Sequence, residues 1–209
     1  MAHFSPFRDR DEAGRRLASE LPELDRPLVL ALPRGGVPVG AAVADVLGAD
    51  LDVLVVRKLG VPAQPELAMG AVASGGVRVV NEDVVRRAGV PAAVLEEVAA
   101  RELAAVESRE RLYRGDRPAP ALAGRDVVVV DDGLATGATM RAAVEAVRSR
   151  RPSRLVVAVP VAPAETVVAF AQEGIEIVCV YAPTDFGSVG SWYGDFGQVT
   201  DEEVIRLIS

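Results

Sequence analysis

Uninterrupted apolar runs recur along this chain, each followed by a stretch of helical character, and no other feature restricts the fold as strongly. Residues 27–32 (PLVLAL) precede a segment rich in small apolar residues at 38–47, and 51–56 (LDVLVV) form a second run. Farther on, 126–130 leads to 138–150, 155–161 leads to 164–173, and 175–180 forms a last run. Sheets with one wet face alternate apolar and polar residues. Near-continuous Val/Leu runs spaced by helices belong instead to a parallel sheet covered on both faces. The expectation is an α/β fold: a mostly parallel, doubly wound sheet with helices on both faces.

The segments between these runs are less regular. Residues 58–70, with Gly60, Pro62, Pro65 and Gly70, read as a long irregular stretch. Two short strands, 71–73 and 77–80, are separated by Gly75-Gly76, which suits a tight hairpin. Residues 91–114 carry the strongest helical pattern, with Pro91 in the first turn and Val94, Leu95, Val98, Leu103 and Val106 along one face. Glu97/Arg101 and Glu107/Arg111 stand at i,i+4, so the charged side reads as a solvated outer face. Residues 117–125 form a connecting loop, and 183–197 are irregular and hold Phe186, Trp192, Tyr193 and Phe196. A short helix is expected at 201–208. The organisation expected is one domain: an N-terminal helical segment (1–26), a core (27–181) and a C-terminal hood (182–209).

Composition bounds the function classes. With 209 residues, half of them apolar and a quarter charged, the chain is globular rather than disordered. No run approaches the ~18 apolar residues of a membrane helix, and the polar N-terminus is unlike a secretory signal. A single cysteine, Cys179, and a single histidine, His3, leave no His/Cys zinc site, and Cys179 in IVCVY reads as a small core residue. A cytoplasmic location is expected. The net charge of −7 disfavours nucleic acid and membrane as partners, although a local basic pocket is compatible with it.

The most informative stretch is VVVVDDGLATGATM, residues 127–140. A buried strand ends in two carboxylates, a short Gly/Thr/Ala loop follows, and a helix begins near Ala138. Ligands of open α/β sheets bind beyond the carboxyl ends of strands. A loop of Ala135, Thr136, Gly137, Ala138 and Thr139 would present backbone N–H groups at a helix N-terminus, which favours an anion. Two threonine hydroxyls add donors, and Gly137 permits close approach. Neither a Gly-Lys-Ser/Thr ending nor a GxGxxG turn is present. Asp131 and Asp132 would repel a diphosphate but can accept hydrogen bonds from a vicinal diol, so the layout matches a phosphorylated sugar.

This stretch resembles the 5-phosphoribosyl 1-diphosphate (PRPP) signature of the type I phosphoribosyltransferases. The resemblance covers roughly residues 27–180. It implies that Asp131 and Asp132 hold the ribose hydroxyls while residues 135–139 wrap the 5-phosphate. It implies also that Arg34, Gly35 and Gly36 form the loop that touches pyrophosphate, which in the family often contains a non-proline cis peptide. Arg57 and Lys58 resemble the pyrophosphate-binding pair of adenine-type members, and the stretch from there through Gly70 resembles the family's flexible catalytic loop; an ordered surface loop is the alternative. Magnesium, a homodimer, and PRPP with a small-molecule acceptor as partners follow from the same resemblance.

Ala135 departs from the 6-oxopurine members, which carry an acid there, and is similar to the adenine and uracil enzymes. Glu66 is then the candidate acid on the flexible loop, with a solvated carboxylate as its alternative reading. Phe186, Trp192 and Tyr193 could stack on a planar acceptor or pack a small lobe. The activity implied is phosphoribosyl transfer from PRPP to a nitrogenous base with release of pyrophosphate. A non-catalytic PRPP-sensing regulator and a PRPP-using enzyme with a non-nucleobase acceptor are the alternatives.

Overall fold

The computed structural model describes residues 6–209, so His3 lies outside the described residues. The valine-rich runs form β1 (Leu28–Ala31), β2 (Asp50–Val53), β6 (Asp126–Val130), β7 (Arg154–Val161) and β8 (Glu176–Tyr181), which join in one sheet in the order β2-β1-β6-β7-β8. Every pairing in it is parallel. Helices α1 (Arg10–Glu20), α2 (Gly36–Leu47), α5 (Ala138–Arg148) and α6 (Ala164–Gln172) accompany it, and β1 and β6 are buried along their whole length. Such burial on both faces is what selected unbroken apolar runs over alternating ones. No helix among the described residues is long and apolar enough to cross a membrane.

Strand order places the function. From β1 the chain moves outward to β2, returns through the segments between them, and enters β6 on the other side of β1. The carboxyl ends of β1 and β6 therefore flank a topological switch point, where loops diverge and leave a crevice.

Residues 56–80 correct one expectation. The stretch 58–70 is not irregular: β3 (Val56–Val61) and β4 (Gln64–Ala73) form an antiparallel pair, which β5 (Val77–Val80) extends through the Gly75-Gly76 turn. The glycines and prolines that suggested a loop sit where strands tolerate them. Pro62 lies between the strands, and Gly60 marks a shift in register where a Cβ would lie 2.6 Å from the Pro65 carbonyl oxygen. Leu59, Val61, Met69 and Val72 are buried against Leu95, Val98, Ala99 and Val106 of α4 (Ala92–Arg114).

The charged face of helix α4 is solvated as expected, with Glu97, Arg101, Glu107 and Arg111 all exposed opposite its buried apolar side. Pro91 is its N-cap, and Arg101 engages Glu102 rather than Glu97. At its far end Arg114 is buried, with Nε 3.0 Å from Asp52 Oδ2 and Nη1 2.7 Å from Glu110 Oε1. A short helix, α3 (Glu82–Arg87), capped by the Asn81 side chain, is not among the elements expected from the sequence. The C-terminal helix α7 (Asp201–Ile208) falls where the pattern placed it and packs against α4 and α2.

Candidate active site

Strand β6 delivers the acid pair to the switch point. The Asp132 backbone N–H donates to Asp131 Oδ1 at 2.9 Å, which turns the first carboxylate back over the chain. Burial and the neighbouring Asp132 charge push the Asp131 carboxyl well above the usual carboxylate range. Asp132 is also raised by burial, but here a cation opposes the shift. That cation is Arg10 of α1: Nε and Nη2 lie 3.0 and 2.8 Å from Asp132 Oδ2, while Nη1 donates to the Gly197 carbonyl at 2.8 Å. Its guanidinium also covers the Phe196 ring at 4.0 Å.

The turn after β1 is packed directly against these acids. The Pro33–Arg34 peptide is cis, and the two glycines that follow have no room for side chains. A Cβ on Gly35 would fall onto the Asp132 carboxylate, and one on Gly36 would lie 2.8 Å from the Val130 carbonyl oxygen. Glycine is required here for close approach, because neither residue has positive φ.

The loop from Gly133 to Thr139 is fixed from below. Leu134 donates its N–H to the Val161 carbonyl at 3.0 Å, and Thr166 Oγ1 donates to the Ala135 carbonyl at 3.0 Å. Arg141, paired with Glu173, donates to the Thr136 carbonyl at 2.8 Å. Gly137 enters α5 at φ +71°, and no side chain caps the helix. The first-turn N–H groups of α5 thus lack an intrahelical or side-chain acceptor, the condition under which a helix N-terminus binds an anion. Ala135, Thr136, Ala138 and Thr139 are exposed around it. Gly137→Ala is expected to disrupt this loop, since its Cβ would lie 2.6 Å from the Phe170 ring at a left-handed backbone position. The cost should be about 1–3 kcal/mol, read as a fall in Tm together with loss of ribose 5-phosphate binding.

Beside the turn lies a cavity of about 210 Å³ lined by Arg34, Val56, Arg57, Arg109, Tyr113 and Thr139, among others. It adjoins a larger one of about 710 Å³ under the β3–β4 hairpin, with Val56, Arg57 and Thr139 common to both. The structure therefore brings Arg34, Arg57 and Thr139 together. Arg57 is held by Glu102 at 2.6 Å, and that hydrogen bond keeps the Glu102 carboxyl below its usual value. Lys58 lines the larger cavity and pairs with Glu66 across the hairpin at 3.0 Å. Glu66 itself is exposed.

The aromatic hood requires a correction. Tyr193 is not available to stack on an acceptor: it is buried between Phe7 and Phe196, with ring centroids 5.4 and 5.0 Å away. Its hydroxyl donates to the Asp132 carbonyl at 2.6 Å, and burial raises its pKa so that it stays a donor. Trp192 stacks on Tyr181 at 6.2 Å and donates Nε1–H to the Phe186 carbonyl at 2.9 Å. These rings pack the C-terminal lobe onto the N-terminal segment and brace the acid pair. Burial lifts the Cys179 thiol to about 11, consistent with a core residue.

The motif reading missed Arg10, Arg109, Tyr113 and Asp201. Arg10 is one of several arginines in a charged N-terminal segment, and only the packing of α1 on α2 aims it at the acids. Arg109 looked like part of a solvated helix face.

The open parallel sheet thus carries its paired aspartates, an uncapped helix N-terminus and a basic cavity together at one switch point, the place where doubly wound α/β proteins bind ligands. The model of the phosphoribosyl transferase domain matches residues 10–172, and the chain belongs to the phosphoribosyltransferase family. A protein of Mycobacterium tuberculosis H37Rv named "Putative phosphoribosyl transferase Rv0571c" is 47% identical over 204 residues, 97% of this chain. The match spans 46% of that relative, so the chain covers about half its length. The crystal structure of TT1426 from Thermus thermophilus is 48% identical, with a TM-score of 0.90 and 97% of each chain covered. A hypothetical protein from Neisseria gonorrhoeae, solved with bound ppGpp, shares 14% identity at a TM-score of 0.52 over 95% of this chain and 90% of its own. That last likeness concerns the fold.

Proposed function

We propose that this protein transfers the 5-phosphoribosyl group of PRPP to a nitrogenous base and releases pyrophosphate. The observation that carries the reading is the juxtaposition, at one switch point, of Asp131-Asp132, the uncapped N-terminus of α5 and the Arg34–Arg57 cavity. The three parts correspond to the diol, 5-phosphate and diphosphate of one ligand.

Displacement at the anomeric carbon passes through a sugar with cationic character, so the barrier falls where departing negative charge is stabilised. Arg34 and Arg57, which line the cavity, meet the diphosphate oxygens, and Lys58, which lines the adjoining cavity, reaches the same region from the hairpin. Asp131 and Asp132 accept from the ribose hydroxyls and hold the ring in register with the 5-phosphate. The backbone N–H groups of residues 135–139 and the two threonine hydroxyls hold that phosphate. Magnesium fits this arrangement as an ion carried chiefly by the diphosphate and water oxygens, the ligands a hard divalent cation prefers. When bound it would supply further neutralisation of the diphosphate.

Ala135 removes the proton-transferring acid of 6-oxopurine members from this loop, leaving Glu66 on the hairpin as the candidate to assist the acceptor. Glu66→Gln is expected to slow turnover while PRPP affinity stays near wild type; unchanged turnover would make Glu66 a solvated partner of Lys58. The reading as a whole is tested by pyrophosphate release from PRPP across a panel of nitrogenous bases. Release with at least one base is expected, whereas PRPP binding without release on any base would favour a sensing role.

A further inference from the structure

Helix α4 contributes a third arginine to the basic cavity, and the C-terminal helix supplies that arginine with a carboxylate. Arg109 lines the cavity together with Arg34 and Arg57, so three guanidiniums converge from three separate segments: the β1–α2 turn, β3 and α4. Arg109 Nη1 lies 2.8 Å from Asp201 Oδ1, the Tyr113 hydroxyl donates to the same oxygen at 2.7 Å, and Arg109 Nη1 lies 3.0 Å from the Tyr113 oxygen. The Tyr113 hydrogen bond and the charges of Arg109 and Arg34 hold the Asp201 carboxyl below its usual range, so it is ionised at neutral pH. Asp201 opens the first turn of α7, whose N-cap Thr200 accepts from the Glu203 N–H, and its carboxylate is held by Arg109 and Tyr113, both of which line the cavity.

Three cations around about 210 Å³ would repel one another if left alone. Glu102 on Arg57 and Asp201 on Arg109 offset part of that repulsion, and Asp201 reaches Arg109 through one oxygen, which it shares with the Tyr113 hydroxyl. A diphosphate brings more charge and more acceptor oxygens, and charge-assisted bonds to guanidinium are the strong class.

We propose that Arg109 binds the diphosphate of the ligand and that Asp201 is its internal counter-ion, released from Arg109 when the diphosphate enters. The proposal rests on the sugar-phosphate reading of the site and adds to it a competition between the C-terminal helix and the leaving group. Two substitutions then move affinity in opposite directions. Arg109→Gln removes a donor and weakens binding, whereas Asp201→Asn removes the competitor and strengthens it.

The test is calorimetric titration of the full chain with inorganic pyrophosphate and, separately, with ribose 5-phosphate. Pyrophosphate affinity should fall about tenfold in Arg109→Gln, recover in part in Arg109→Lys, and rise severalfold in Asp201→Asn. Ribose 5-phosphate affinity should stay within about twofold in all three, which separates loss of an anion contact from a damaged fold. Pyrophosphate affinity unchanged in Arg109→Gln, or not improved in Asp201→Asn, would overturn the proposal while ribose 5-phosphate binding still upheld the site. Failure of the wild-type protein to bind either ligand would remove the underlying reading as well.

Discussion

Replacing Asp131 and Asp132 together by asparagine is expected to weaken ribose 5-phosphate binding by at least about 100-fold, and Asp131→Asn alone, which leaves the Arg10–Asp132 pair in place, to raise the melting temperature of the free protein. The first effect follows from hydrogen bonds to charged acceptors, each contributing about 1.5–3 kcal/mol. The second follows from the electrostatics of the acid pair itself. Burial and the facing Asp132 raise the Asp131 carboxyl, so the folded chain holds that proton more tightly than the unfolded one. Such a group makes folding less favourable as pH rises from its unfolded value through its folded one. Asparagine keeps an acceptor for the Asp132 N–H and removes the charge, so stability should become flatter across that window and higher above it. Thermal melts of wild type and Asp131→Asn between acidic and neutral pH check the sign: the two curves should converge at low pH and separate as pH rises. A variant less stable than wild type at neutral pH would contradict the account.

Arg10→Ala is expected to destabilise the protein by about 3–5 kcal/mol and to impair sugar-phosphate binding. The Arg10 and Asp132 side chains are only 12% and 15% exposed, so removing the cation leaves a largely buried carboxylate without its partner. The same guanidinium ties α1 to Gly197 and covers Phe196, so three segments lose a common anchor. Arg10→Lys should recover only part of the loss, since one ammonium cannot reproduce contacts to Asp132 and Gly197 while lying over a ring. Denaturant unfolding measures the stability term, and titration with ribose 5-phosphate measures the binding term. Stability and affinity both near wild type in Arg10→Ala would show that Asp132 needs no partner.

These residues also mark the boundary of what the sequence reveals. The parallel sheet was legible because burial on both faces imposes an unbroken apolar run, and 126–130 and 201–208 match the structural elements residue for residue. The acid pair and the loop to Thr139 were legible because strand end, carboxylates, glycine and helix start are neighbours in the chain. The hairpin at 56–73 was not, since its glycines and prolines mark a bulge and a turn as readily as a loop, and the decision lies in contacts with α4. Tyr193 was ambiguous for a similar reason: an aromatic ring suits a heterocycle or another ring, and Phe7, near the opposite end of the chain, settles which. Arg10 and Arg109 gave no local sign at all. Each acquires its role from a partner brought by tertiary packing, Asp132 in one case and the Arg34–Arg57 cavity in the other.

The most direct measurement is a crystal structure of the protein with ribose 5-phosphate bound. The account predicts the phosphate on the backbone N–H groups of residues 135–139 and the 2- and 3-hydroxyls on the carboxylates of Asp131 and Asp132. A ligand seated elsewhere, or reversed so that its hydroxyls face Thr136 and Thr139, would contradict it.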